Sequence, residues 1–201
     1  HKKGLAGLKT FYNIANDEEK KGVISLIKRN DIISFLCNGH VQKDSAAELC
    51  DVIALYANTE EVSDSIFANL FSITIKQSKE DVKPFIKGWM ILISTHEEKI
   101  MNLLTQYLSS LSISNTGNIL FIQKLAPFIK DKIPVFQLVS SSYLNNTKLG
   151  IDETIAALSK LVPSDEKFII SIREKCLNFL ESNNNVEFAA RMIKETIKKL
   201  T

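Results

Sequence analysis

Apolar residues return at i, i+3, i+4 and i+7 along nearly the whole of this chain, the spacing that lines one side of an α-helix. The 201 residues include only 7 Gly and 4 Pro. A sheet protein needs a turn former every ten positions or so, and this chain cannot supply them. An all-α fold follows. The hydrophobic fraction of 45% and charged fraction of 24% are ordinary globular usage, and the length is sufficient to bury a core.

The periodicity divides the chain into about twelve helical segments, over residues 3–15, 17–29, 31–37, 44–57, 60–76, 81–94, 97–112, 116–130, 134–144, 151–162, 164–181 and 186–200. Asp44, Thr116 and Ser164 stand where a side-chain oxygen accepts a first-turn N–H. Acids gather in first turns, as Asp17-Glu18-Glu19, Glu60-Glu61, Glu97-Glu98 and Asp165-Glu166 do, where the helix dipole favours them. Pro134 suits a first turn. Pro84 fits only a helix that begins close to it, and Pro127 should kink or end its helix.

Links of two to six residues make successive helices antiparallel neighbours. Helix pairs then recur about every 35–40 residues, close to the period of HEAT and armadillo repeats. Stretches such as 66–75 and 90–93 are apolar on more than one face, as a helix inside a stack would be. The expected architecture is a right-handed α-solenoid of about twelve short antiparallel helices, one domain over 1–201. A closed bundle prefers fewer, longer helices.

Residues 5–36 resemble an armadillo repeat. Phe11-Tyr12-Asn13-Ile14-Ala15 is similar to the family's Leu-x-Asn-Leu-Ala at the close of its third helix. Leu26-Ile27, then Lys28-Arg29-Asn30, then Asp31-Ile32-Ile33-Ser34-Phe35-Leu36 resembles its apolar pair, sharp turn and new apolar helix. The family has Gly at that turn; Asn30 stands here, the next residue most tolerant of a left-handed backbone. The resemblance implies that Asn13 binds the backbone of an extended peptide, with Lys9 one turn before it on the same helix. The next repeat ends Leu55-Tyr56-Ala57-Asn58, with the Asn displaced, so a ladder of peptide-binding Asn is absent. A weaker likeness to the armadillo domain of UCS-type myosin chaperones runs through His40-Val41, Ala46-Ala47-Glu48, Glu60-Glu61-Val62 and Gly88.

Chemistry is harder to find. Cys37, Cys50 and Cys176 share no metal-ligand spacing and sit among apolar neighbours, as buried free thiols do. Such thiols belong to a reducing compartment, the cytoplasm or the nucleus. His40 and His96 are the internal histidines, and both read as solvated residues at a loop or helix start. No zinc spacing, nucleophile–base pair or glycine-rich phosphate loop occurs, so neither a catalytic residue nor a metal or other cofactor is expected. Lys and Arg number 13 against 14 acids in residues 1–100, and 12 against 9 in 101–201. That balance lacks the concentrated basic face of a nucleic-acid binder. No apolar run reaches membrane length, and the start at His1 suggests a piece of a longer protein.

Binding to another protein is then the expected function, as an adaptor or scaffold that presents a helical surface to a peptide or folded partner. The chaperone likeness implies an alternative, a co-chaperone acting on a client such as myosin or with an Hsp70/Hsp90 chaperone. The surface candidates are Asn13 and Lys9 near the start and, near the end, Arg191, Lys194 and Lys198. The last three form a basic stripe opposite Phe188, Ile193, Ile197 and Leu200.

Overall fold

Helices account for every regular element in a computed structural model of the chain, which describes residues 2–29, 45–57, 64–146 and 148–199. The fold is all-α, and ten helices lie among the described residues. Segment 31–37, Asn30, Cys37, His40, Asp44 and Glu60-Glu61 lie outside them. The chain divides into two compact units, His1–Tyr107 and Leu108–Thr201.

The first unit holds α1 (Lys2–Ile14), α2 (Asp17–Arg29), α3 (Ala46–Ala57), α4 (Asp64–Thr74) and most of α5 (Val82–Ser109). Asn16 opens α2 through a reciprocal pair of bonds. Its side chain accepts from the Glu19 N–H at 3.0 Å, and Glu19 accepts from the Asn16 N–H at 2.9 Å. Helix α1 packs on α3. Helix α3 meets α5 at Gly88, where an added Cβ would stand 2.9 Å from the Cys50 Cβ and 3.1 Å from the Ala46 carbonyl oxygen. Only a residue without a side chain lets the two backbones come this close. Helix α4 lies against α5 through Trp89, which is fully buried. Its indole N–H donates to Thr74 Oγ1 at 3.0 Å, so a large apolar ring is buried without an orphaned donor.

Helix α5 spans 28 residues and is broken at His96, where φ −144° and ψ 49° leave the helical region. The break falls between segments 81–94 and 97–112, which the sequence separates. Its cause is local. The Ser94 hydroxyl donates to the Ile91 carbonyl at 2.8 Å, and the Thr95 hydroxyl reaches those of Ile91 and Leu92 at 3.1 Å. Hydroxyls that bond back to the preceding turn bend helices. Val82 is fully buried and Pro84 stands in the first turn of α5, the one place the sequence allows it.

The second unit holds α6 (Thr116–Leu125), α7 (Lys132–Asn145), α8 (Ile151–Leu161), α9 (Glu166–Glu181) and α10 (Val186–Ile197). Helix α6 packs on α8 and α8 on α10, forming one row; α7 folds back on α8, and α9 on α10. Two of the expected caps shift by one residue. The cap of α6 is Asn115 rather than Thr116, accepting from the Asn118 N–H at 3.0 Å. That of α9 is Asp165 rather than Ser164, accepting from the Phe168 N–H at 2.7 Å. In each case the side chain three residues before the free N–H has the right reach. Helix α6 ends at Leu125, two residues before Pro127, as the missing N–H of proline requires.

The turn from α9 to α10 is closed tightly. Asn183 is left-handed, with φ 56°. Its N–H donates to the Leu180 carbonyl at 3.2 Å, and that of Asn184 reaches back to Phe179 at 2.8 Å. This paired closure normally uses glycine, and asparagine is the substitute.

Candidate functional site

The surface residues singled out from the sequence fall in both units, and most are already engaged. Lys9 on α1 is ion-paired with Asp51 on α3 at 2.7 Å, which fastens one helix to another. Asn13, one turn later, is exposed. On α10, Arg191 reaches Asp152 of α8 at 2.8 Å and Glu187 of its own helix at 3.4 Å. Asp152 first, then Glu187, raises the already high pKa of the guanidinium. Lys198 pairs with Glu195 at 2.6 Å, and Lys194 is exposed. The stripe is therefore largely neutralised by the protein's own acids. Its opposite face also differs from the expectation: Phe188, Ala189, Met192 and Thr196 are the buried residues of α10, while Ile197 is 49% exposed.

Two concavities stand out among the described residues. The broader one is a shallow depression at the break in α5, bordered by Asp64, His96, Glu97, Glu98 and Lys99. His96 is only partly exposed, and its Nε2 is buried with no hydrogen-bond partner among the described residues, which corrects its reading as a solvated residue. The periodicity explains this. Position 96 continues the series Phe85, Trp89 and Ile93 that places core residues on α5, so a polar ring is drawn inward. Among the described residues no group of three or more His, Cys, Asp or Glu is placed to hold a metal ion.

The second concavity is a cleft of about 290 Å³ in the second unit, between α7 and α9 and floored by α10. Its apolar surface comes from Phe136 and Leu144 on α7, Phe168, Ile172 and Phe179 on α9, and Phe188 and Met192 on α10. The Phe136 and Phe168 rings meet edge to face at 5.5 Å and close one end. Phe188 is stacked on Tyr143 at 5.1 Å, which fixes the floor. Gln137, Ser140, Ser141, Ser171 and Lys175 form the polar rim. The Ser140 and Ser141 hydroxyls donate to the carbonyls of Gln137 and Leu138, each at 3.1 Å. Cys176 lies at the base, 3% exposed; burial pushes its thiol up to about 11, so it is protonated at neutral pH.

None of the five surface candidates, Asn13, Lys9, Arg191, Lys194 and Lys198, lines this cleft, though Cys176 and Phe188 do. A helical wheel of α9 contains the missed signal: Phe168, Ile172, Lys175 and Phe179 follow i, i+4, i+7 and i+11, a second apolar stripe beside the buried Ile169, Ile172 and Cys176. A helix with two adjacent apolar faces either touches two neighbours or leaves one face open.

In comparisons with known proteins, no family model, curated protein or solved structure matches the chain.

Proposed function

We propose that this chain is a protein-interaction module, an adaptor or scaffold built as an armadillo- or HEAT-type helical stack. The observation that carries the reading is the half-open, phenylalanine-lined cleft between α7 and α9. A surface of that make-up suits docking: apolar at its centre, polar at its rim, and walled by rigid helices. The Cys176 thiol at its base is protonated at neutral pH, whereas acid–base catalysis uses groups poised near neutral pH. The row of α6, α8 and α10, with α7 and α9 folded back on α8 and α10, supports the stacked arrangement, in which repeats pack on their neighbours. The buried free thiols of Cys50 and Cys176 support a reducing compartment, cytoplasm or nucleus. No helix among the described residues is long and apolar enough to cross a membrane.

The test is to fill the cleft. Ser140→Trp places an indole in the trough from its rim. Partners captured from extract of the source cells by the wild-type chain should be lost by this variant, with an unchanged circular-dichroism spectrum and melting temperature. Equal capture by the two chains would refute the role given to the cleft.

A further inference from the structure

The shape of the cleft and its single charge narrow what can occupy it. On α9 its lining runs from Phe168 to Phe179 along one face, which at 1.5 Å per residue is about 16 Å. On α7 it runs from Phe136 to Leu144, about 12 Å on the same basis. The trough is thus long and narrow, and at about 290 Å³ it is half open to solvent. Sites that envelop a small molecule hold roughly 300–1,000 Å³ and cover 70–90% of the ligand surface. This one lies at the lower edge of that range and, open along one side, leaves part of any occupant exposed. The anchors of a helix laid in a groove, at i, i+3 or i+4, and i+7, span about 10 Å, and that length fits between the closed Phe136–Phe168 end and Phe179.

The rim decides the charge of the occupant. Among the described residues, Lys175 is the only charged side chain that lines the cleft. It is exposed and makes no ion pair among the described residues. Lys9, Arg191 and Lys198 by contrast each have a carboxylate of their own. The Ser140 and Ser141 hydroxyl protons are turned back onto α7, so the donors left at the rim are the Lys175 ammonium, the Gln137 amide and the Ser171 hydroxyl. All three can meet an acceptor, and the ammonium asks for an anion.

We infer that the α7–α9 cleft receives an amphipathic helical segment of a partner protein, its apolar anchors in the trough and an Asp or Glu of that segment on Lys175. This rests on the binding role proposed above and gives the partner its chemistry.

The experiment pans a display library of helical fourteen-residue peptides on the full chain, then measures the enriched peptides by fluorescence polarisation. The chains compared are the wild type, Lys175→Glu and Ser140→Trp, with fluorescent laurate as a small amphiphile in parallel. The wild type should enrich two or three apolar residues at helical spacing with an acid one turn away. Lys175→Glu should weaken those peptides at least tenfold and itself enrich Lys or Arg in place of the acid, and Ser140→Trp should abolish binding. Peptides lost with Ser140→Trp but indifferent to Lys175→Glu would overturn the acidic segment and leave the docking role standing. Peptides that bind Ser140→Trp as well as the wild type would overturn both. So would laurate binding that Ser140→Trp abolishes, if no peptide is enriched.

Discussion

Two places where helices run past one another, α3 over α5 in the first unit and α7 beside α9 in the second, are built on opposite rules. At the first, Gly88 brings the backbone of one helix onto Ala46 and Cys50 of the other, and the neighbouring Trp89 is sealed by its bond to Thr74. At the second, rings hold the walls apart: Phe136, Phe168 and Phe179 stand where small residues would have let α7 and α9 close. Close packing of this kind is worth most of a side chain's transfer free energy and tolerates little change. A splayed pair forgoes that contact and leaves an apolar trough with a wettable rim. The same all-α chain thus contains one joint that serves stability and one that, on the role proposed above, serves contact with a partner.

This contrast can be broken by substitution. The largest effect belongs to Trp89→Ala, which empties a fully buried site and should cost about 3–5 kcal/mol in urea unfolding. Gly88→Ala should cost about 1–3 kcal/mol through overpacking, even though alanine is the better helix former by about 1 kcal/mol. Adding Cys50→Ala removes the Sγ that the new methyl would strike, and part of the loss should return. If Gly88→Ala is instead stabilising, the two helices are not held in close contact.

On the cleft side, Cys176 predicts an alkaline slope. Below pH 9 the thiol is protonated in both folded and unfolded chains, and the stability it contributes is complete. Above 9 the unfolded chain gives up the proton first, because burial holds the folded thiol to about 11. Stability should therefore fall between pH 9 and 11, by up to about 1.4 kcal/mol per pH unit. The slope is measured as the difference between the wild type and Cys176→Ala; identical pH profiles would mean that water reaches the base of the cleft. The smallest effect is that of Ser140→Trp on stability, within about 0.5 kcal/mol, although it should abolish docking. A loss as large as that of Gly88→Ala would show the cleft to be core.

Most helices were legible because burial imposes its period on sequence. The break at His96 could be read from Glu97-Glu98, acids that mark a new helix start. Pro127 ended α6 for a reason internal to the residue. Caps were legible only to within one position, since Ser164-Asp165 and Asn115-Thr116 each offer two oxygens and geometry selects one. The site was not legible. Arg191, Lys194 and Lys198 share a helical face, but what each charge does is decided by residues brought near through folding, such as Asp152 of α8. Lys9 likewise finds Asp51 42 positions away. The cleft draws on three helices, and the stripe on α9 alone does not tell whether that face is covered by a neighbour or left open.

The closure at Asn183 bears on how the cleft can change width. With Asn183 left-handed and the Asn184 N–H bound to Phe179, the link from α9 to α10 has no slack. The Arg173 side chain adds a second tie, donating to Thr196 across the same hairpin at 3.3 Å. One wall and the floor of the trough are therefore tied to each other, and α7 is joined to that floor by the Tyr143–Phe188 stack. A segment docking as proposed should then register in hydrogen exchange as added protection across α7 and the α9–α10 hairpin together.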